Sequence, residues 1–143
     1  MDDESLTYRL LRLVHAMDGA TDDGIRDVMA ELGVTHALAD ALWQLDPDAS
    51  PPTMREMAAR LRCDPSTVTF LADRLEQLSF VTRAPAPHDR RTKVLELSDS
   101  GRDARRRLVE AATTRTPIAG LTRDEQLTLH DLLSKAMAGP AGR

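Results

Sequence analysis

Apolar and polar positions recur at helical spacing along most of the chain. Residues 5–17 place leucine, valine and methionine on one broad face, which predicts an amphipathic helix. Residues 18–24 interrupt this pattern with two glycines and several polar residues, and residues 25–32 resume it. Two helices or one kinked helix would fit this region, and Gly33 is expected to cap its end.

Two short helices are predicted next, each from a capping residue that precedes apolar positions. Thr35 can cap a helix that ends near Asp46, and Thr53 and Glu56 form a capping box of the Thr-x-x-Glu type. The apolar positions expected on the inner faces of these helices are Leu38, Ala41, Leu42, Leu45, Met57, Ala58 and Leu61.

The stretch after Cys63 predicts a fourth helix. Asp64 can cap its first turn through the side chain, and Pro65 at the first helical position loses no hydrogen bond. The inner stripe is Val68, Leu71, Ala72, Leu75 and Leu78. The opposite face carries Ser66, Phe70, Asp73 and Gln77, flanked by Thr69 and Arg74. With the preceding helix it indicates a helix-turn-helix.

A hairpin is predicted to follow, with strands over residues 80–83 and 93–97. The prolines of the intervening residues 84–92 are expected to keep the tip extended and out of the ladder.

Two helices close the predicted order. Ser98 can cap a long helix that ends at Thr116, and Thr122 with Glu125 forms a second capping box for a helix that stops at Gly139. The apolar positions expected to be buried are Ala104, Leu108, Ala111, Ala112, Leu129, Leu132, Leu133, Ala136 and Met137. The helices that flank the hairpin region present more apolar surface than it can cover, which predicts a homodimer.

Length and composition indicate one soluble domain of 143 residues without disulfides, because Cys63 is the single cysteine. The acidic residues 2–4 differ from a secretory signal, so a cytoplasmic location is expected, and no apolar run reaches the roughly 20 residues that span a membrane. Net charge is −4, yet residues 53–107 hold 12 Arg or Lys against 8 Asp or Glu. A locally basic region of this kind can attract phosphate.

Several segments resemble the MarR family of bacterial winged-helix transcription regulators. Residues 57–61, 64–69 and 73–76 resemble the family's helix-turn-helix, residues 87–91 its wing, and residues 97–102 the start of its long helix. The resemblance extends over nearly the whole chain, although outside these segments it is one of helix order only.

The resemblance implies a mainly α fold with a small β-hairpin wing. A winged helix-turn-helix over residues 34–107 would be flanked by dimerisation helices over residues 1–33 and 108–143. It also implies a homodimer that binds double-stranded DNA at a pseudo-palindromic operator, usually as a repressor, with release by small molecules or oxidation.

The residues expected to bind DNA are Thr53, Ser66, Thr67, Thr69, Phe70, Arg74, Asp89, Arg90, Arg91 and Lys93. The hydroxyl groups on the fourth helix are expected to contact base edges or phosphates, with Arg74 on phosphate. Arg91 and Arg90 are expected at the minor groove, with Asp89 paired to one of them.

The chain departs from the family at Phe70, where many members have arginine. This ring would either contact a thymine methyl group or belong to the core. The resemblance also suggests a small aromatic or phenolic effector near His15 and Trp43.

Other chemistry is weakly supported. Cys63 at a helix start permits a thiol-oxidation response, although a structural thiol fits better because no second cysteine exists. His36 and Asp40 have a spacing that zinc sites use, but too few ligands converge in sequence to expect a metal or any other cofactor. No catalytic motif predicts an enzyme. The alternative function is a winged-helix module that docks proteins through Phe70 and Asp73.

Overall fold

The computed structural model describes residues 3–140, and the predicted fold class is confirmed. In chain order the elements are α1 (Asp3–Leu32), α2 (His36–Trp43), α3 (Met54–Leu61), α4 (Pro65–Gln77), β1 (Val81–Ala86), β2 (Asp89–Leu97), α5 (Asp99–Arg115), a 3₁₀ helix (Pro117–Gly120) and α6 (Arg123–Ala138). The N-terminal signal argument rested on residues 2–4, of which Asp2 lies outside the described residues, as do residues 1 and 141–143. Within residues 3–140, no helix is both long and apolar enough to cross a membrane.

The chain divides into two compact units. The first comprises residues 1–24 and 112–143, and the second comprises residues 25–111. The domain limits expected from sequence, after residues 33 and 107, both fall inside the second unit. We describe each unit separately and call them the flanking unit and the winged unit.

Helix α1 is continuous where the sequence suggested an interruption. In the flanking unit, the Thr21 hydroxyl donates a hydrogen bond to the Met17 carbonyl at 2.9 Å and shares another with the Thr116 hydroxyl at 2.9 Å. The Arg115 guanidinium donates to the Gly24 carbonyl at 2.9 Å, and a Cβ at Gly24 would lie 3.1 Å from that of Arg115. These tertiary contacts need a small residue at Gly24, and they outweigh its low helix propensity.

Helix α6 begins as predicted but does not bury the residues assigned to its inner face. The Thr122 hydroxyl accepts from the Glu125 amide at 3.2 Å, and the Glu125 carboxylate accepts from the Thr122 amide at 2.9 Å. No described residue of α6 is buried, and Leu132 and Met137 are 61% and 75% exposed. Leu133 and Ala136 are also exposed, while Leu129 is half-buried. The expected burial on α6 is therefore wrong for the chain by itself.

The winged unit has a closed apolar core. Its largest fully buried side chains are Leu42, Met57, Val68, Leu75, Leu95 and Leu108, contributed by α2, α3, α4, β2 and α5. The predicted inner stripe of α4 is buried except at Leu78, which is half-buried. Apolar residues spaced about one helical turn apart along α2, α3 and α4 therefore identified the part of this core that these helices contribute.

Gly33 ends α1 with a φ of 72°, as predicted, and three of the four side-chain caps predicted in this unit are present. The hydroxyls of Thr35, Thr53 and Ser98 accept from the amides of Leu38 (3.4 Å), Glu56 (3.1 Å) and Gly101 (3.0 Å). The cap expected from the Asp64 side chain is wrong, since α4 begins without a side-chain cap bond and relies on Pro65 in its first turn.

The hairpin is longer than predicted. Val81 to Pro85 pair in antiparallel register with Leu97 to Lys93, and Ala86 pairs with Asp89. Pro85 therefore lies within the ladder, contrary to the expectation that the prolines would stay outside it. The turn itself contains residues 87 and 88.

The start of α5 is held against the turn after α4. The hydroxyls of Ser98 and Ser100 both donate to the Ser79 carbonyl, at 2.5 and 2.7 Å. A Cβ added at Gly101 would lie 1.8 Å from the Phe80 carbonyl oxygen. Only glycine allows this approach of α5 to Phe80, the residue that precedes β1.

Candidate nucleic-acid interface

The outer face of α4 is exposed and carries few charges. Ser66, Thr67 and Thr69 are exposed on its first turns, and the Phe70 ring is 63% exposed. The exposure settles the open question about Phe70, which is a surface residue and not part of the core. A narrow helix with short polar side chains has the dimensions to enter a DNA major groove.

The three hydroxyl groups on this face are not equivalent. The Thr69 hydroxyl donates to the Pro65 carbonyl at 3.1 Å, so its hydrogen is already used within the helix. It retains lone pairs and can accept a hydrogen bond from a base or an amide. Within the described residues, the Ser66 and Thr67 hydroxyls form no hydrogen bond and can donate as well as accept.

Arg83 connects the first strand of the hairpin to α4. Its Nη2 atom donates to Asp73 Oδ1 at 2.6 Å and to the Thr69 carbonyl at 3.2 Å. Its Nε atom lies 3.7 Å from Glu76 Oε1. One guanidinium thus balances two acidic side chains of α4. Arg83 was not among the residues predicted from sequence, although its position on a predicted strand soon after Asp73 and Glu76 indicated that it could pair with them.

Arg74 lies on the flank of the same helix. Its Nη1 atom donates to Gln77 Oε1 at 3.1 Å, and the side chain is exposed. The guanidinium has further donors that can reach a phosphate.

The tip of the hairpin contains a bulge in β2. Pro85 pairs with Lys93 and the adjacent Ala86 pairs with Asp89, so residues 90–92 are extra on the β2 side. Pro85 has no amide hydrogen to continue the ladder, which favours a break at this point.

Asp89 organises this bulge through the backbone. Its Oδ1 atom accepts from the Arg91 amide at 2.9 Å, and its Oδ2 atom accepts from the Thr92 hydroxyl at 3.2 Å. In the described part of the chain Asp89 forms no ion pair with the Arg90 or Arg91 guanidinium, so the expected side-chain pairing is wrong. Both guanidinium groups are exposed and available to a partner.

Two further DNA-contact candidates lie close to the bulge of the hairpin. Lys93 is exposed on β2 and pairs with Pro85 through the backbone. Thr53 is half-buried, forms an isolated bridge with Val94 and caps α3. The Thr53 hydroxyl is also 3.2 Å from Glu56 Oε1, so a structural role already accounts for this residue.

The residues considered for other chemistry do not all belong to one unit. His15 is exposed in the flanking unit, whereas Trp43 belongs to the winged unit and is 42% exposed. Cys63 is a free, half-buried thiol in the turn between α3 and α4. Among residues 3–140 no three His, Cys, Asp or Glu side chains form a metal-binding group.

Comparison with known proteins agrees with this geometry. The family model "MarR family" matches residues 34–93, which lie in the winged unit. The HTH-type transcriptional repressor MdtR of Bacillus subtilis is 40% identical over 73 residues, which is 51% of this chain. The match spans 46% of MdtR, about half the length of that relative.

Solved structures match along almost the whole chain. CouR of Rhodococcus jostii RHA1 bound to p-coumaroyl-CoA is 26% identical, with a TM-score of 0.71 over 99% of this chain and 96% of CouR. CouR bound to a 23-mer DNA duplex gives 26% identity and a TM-score of 0.72 over 92% of each chain.

A mutant of Escherichia coli MarR in complex with operator DNA is also similar. It is 26% identical, with a TM-score of 0.70 over 95% of this chain and 99% of that chain. The family match on the winged unit and these structural matches together show that the chain is similar to the MarR family in sequence and in fold.

Proposed function

We propose that this chain is a dimeric, sequence-specific DNA-binding transcriptional regulator that represses from a pseudo-palindromic operator. One observation carries the proposal. The winged unit presents the exposed polar face of α4 together with two exposed arginines, Arg90 and Arg91, on a hairpin tip that Asp89 pre-forms. Guanidinium groups favour the negative potential of a narrow minor groove, while a helix reads base edges in the major groove.

The DNA-bound structures of CouR and E. coli MarR support this use of the fold. The name of MdtR as a transcriptional repressor supports the sign of regulation. These two lines of support are independent, since the first concerns the geometry of the fold and the second concerns sequence similarity.

The flanking unit supports the dimer. Apolar side chains on α1 and α6 are exposed, including Leu10, Leu13, Leu132 and Met137. A second copy of the chain is the partner that would cover both helices symmetrically. Two-fold symmetry would also present two copies of α4, and half-sites of such dimers lie about 34 to 36 Å apart.

A small aromatic or phenolic molecule is the effector class that we propose. CouR has been solved with p-coumaroyl-CoA, which contains a phenolic group. His15 and Trp43 stay predictions as contact residues. A ligand releases DNA only if it binds the DNA-incompetent form more tightly, so a compound that leaves operator affinity unchanged is not an effector.

DNA binding is tested by fluorescence anisotropy with the DNA upstream of the chain's own gene and with a random duplex of equal length. We expect Arg91→Ala to weaken binding and to reduce the slope of log affinity against log salt by up to about 2, since two wings each contribute about 0.9 per phosphate. Arg123→Ala is the matched control, because it removes the same charge from exposed α6.

The Asp89→Ala variant tests whether DNA binding depends on the organised hairpin tip or only on its positive charge. Loss of an acidic group strengthens purely electrostatic binding, whereas loss of the two Asp89 hydrogen bonds releases the bulge. We therefore expect weaker operator binding despite the gain in positive charge. Tighter binding by this variant, with Arg91→Ala equal to its control, would contradict the role of the wing.

The effector class is tested in the same assay. Salicylate and hydroxycinnamate compounds are titrated into the preformed complex at up to millimolar concentration. Release of the operator, with no release of the random duplex at the same concentration, is the expected result. If no phenolic compound changes operator affinity, this ligand class is wrong.

A further inference from the structure

One large apolar side chain, Phe70, lies on the outer face of α4 and is not part of the core. Phe70 is 63% exposed, whereas Trp43, another aromatic residue of the winged unit, is 42% exposed. Tyr8 is comparably exposed, at 61%, but it belongs to the flanking unit. An isolated exposed ring at the centre of a polar helix face is a candidate contact residue.

The charged neighbours of Phe70 are held by other partners. Asp73, one turn further along α4, accepts from Arg83 at 2.6 Å, and Arg74 donates to Gln77 at 3.1 Å. On the preceding turn, Ser66 and Thr67 contribute only hydroxyl groups. The ring is therefore surrounded by short or occupied side chains and can approach a base closely.

We propose that Phe70 recognises the C5-methyl group of a pyrimidine in the major groove, once in each operator half-site. This inference rests on the proposed function and deepens it. The thymine methyl is the one apolar group that the bases offer in the major groove, and phenylalanine is among the side chains that contact it. The phenyl ring has no hydrogen-bonding group, so it recognises the methyl group and not the hydrogen-bond donors and acceptors of the base.

This chemistry has a consequence for modified DNA. 5-Methylcytosine carries a methyl group at the same ring position as thymine. At the contacted position, a G·C pair should therefore bind more tightly when its cytosine is methylated than when it is not. The contact responds to the methyl group and not to the base pair.

The experiment uses the full chain and an operator obtained by selection from a random duplex pool. Each thymine of the selected duplex is replaced in turn by deoxyuridine, which removes only the methyl group. At one thymine per half-site we expect a loss of about fourfold in affinity, and about fifteenfold when both half-sites are changed. Phe70→Ala should bind the thymine duplex more weakly and should show no difference between thymine and uracil.

Phe70→Leu is the matched variant, since it keeps an apolar side chain and should retain part of the preference. Ser66→Ala, on the same face, should lower affinity equally for both duplexes. Because Phe70 is exposed, these variants should unfold at the temperature of the parent chain, which circular dichroism checks.

The outcomes separate the two proposals. Selection of an operator whose affinity is the same with thymine or uracil throughout overturns the role of Phe70 and leaves DNA binding intact. A uracil effect that persists in Phe70→Ala assigns the methyl contact to another residue and also overturns it. Failure to bind any duplex overturns the proposed function itself.

Discussion

The winged unit and the flanking unit differ in the burial of their apolar residues. Every buried apolar residue in the described part of the chain belongs to the winged unit except Ala112. The large exposed apolar residues belong to the flanking unit except Trp43 and Phe70. One unit completes its own core, and the other leaves apolar surface that favours association.

The largest expected effect is the loss of a core side chain in the winged unit. Leu75 is fully buried on α4, so Leu75→Ala should lower the free energy of unfolding by about 2 to 5 kcal/mol. Urea unfolding of this variant and of Leu127→Ala, whose side chain is 50% exposed on α6, measures the contrast. Equal losses would mean that the two units bury apolar surface alike.

Association through the flanking unit should be sensitive to a charge on its exposed face. Leu132→Asp should raise the dimer dissociation constant by about tenfold to a hundredfold, because burial of a leucine contributes about 1.5 to 3 kcal/mol. Sedimentation velocity at several concentrations measures the constant. Ser134→Asp adds the same charge on the opposite side of α6 and should change it little. A parent chain that sediments as a 15.8 kDa monomer at micromolar concentration would exclude the dimer.

Replacement of glycine by alanine should lower the free energy of unfolding at a position in the winged unit and raise it at a position in the flanking unit. Gly101→Ala places a Cβ 1.8 Å from the Phe80 carbonyl oxygen and should destabilise the chain by about 1 to 3 kcal/mol. Gly19→Ala meets no atom within 4 Å inside α1 and should stabilise it by about 0.5 to 1 kcal/mol. Thermal unfolding of both variants measures the two changes in stability. A loss of stability in both variants would contradict the open space at Gly19.

Arg83 tests whether stability and DNA binding can be separated within the winged unit. Its ion-pair partner Asp73 is 51% exposed, so the pair contributes little, and Arg83→Gln should lower the free energy of unfolding by less than about 1 kcal/mol. Operator affinity should fall more than tenfold, because Asp73 and Glu76 would then face phosphate without a compensating charge. Anisotropy titration measures this loss. Restored affinity in Arg83→Gln with Asp73→Asn would confirm the cause.

The smallest effect concerns the start of α6. Hydrogen bonds from the Thr122 amide and then from its hydroxyl hold the pKa of the Glu125 carboxyl below its ordinary value of 4.5. The stabilisation is therefore fully present above that ordinary pKa and is lost as the pH falls through the lowered pKa. The free energy of unfolding of Glu125→Gln should depend less on pH in this acidic range. Parallel curves for the two proteins would show that the capping box does not contribute.

Sequence alone determined the order of the helices from α2 to α6, the caps at Thr35, Thr53, Ser98 and Thr122, and the inner stripe of α4. These features depend on spacing along a single helix or on contacts within one turn, so the residues that form them are neighbours in the chain. The family motifs also located the wing and its arginines.

The tertiary structure decided the features that depend on residues distant in sequence. Helix α1 continues through residues 18–24 because Arg115 and Thr116 pack against it, and α6 stays exposed because helical periodicity identifies an apolar face without showing what covers it. The Arg83 contacts with α4 and the bulge that separates Lys93 from Asp89 depend on strand register, which spacing alone does not determine. Exposure of Phe70 followed from the closure of the core on the other side of α4.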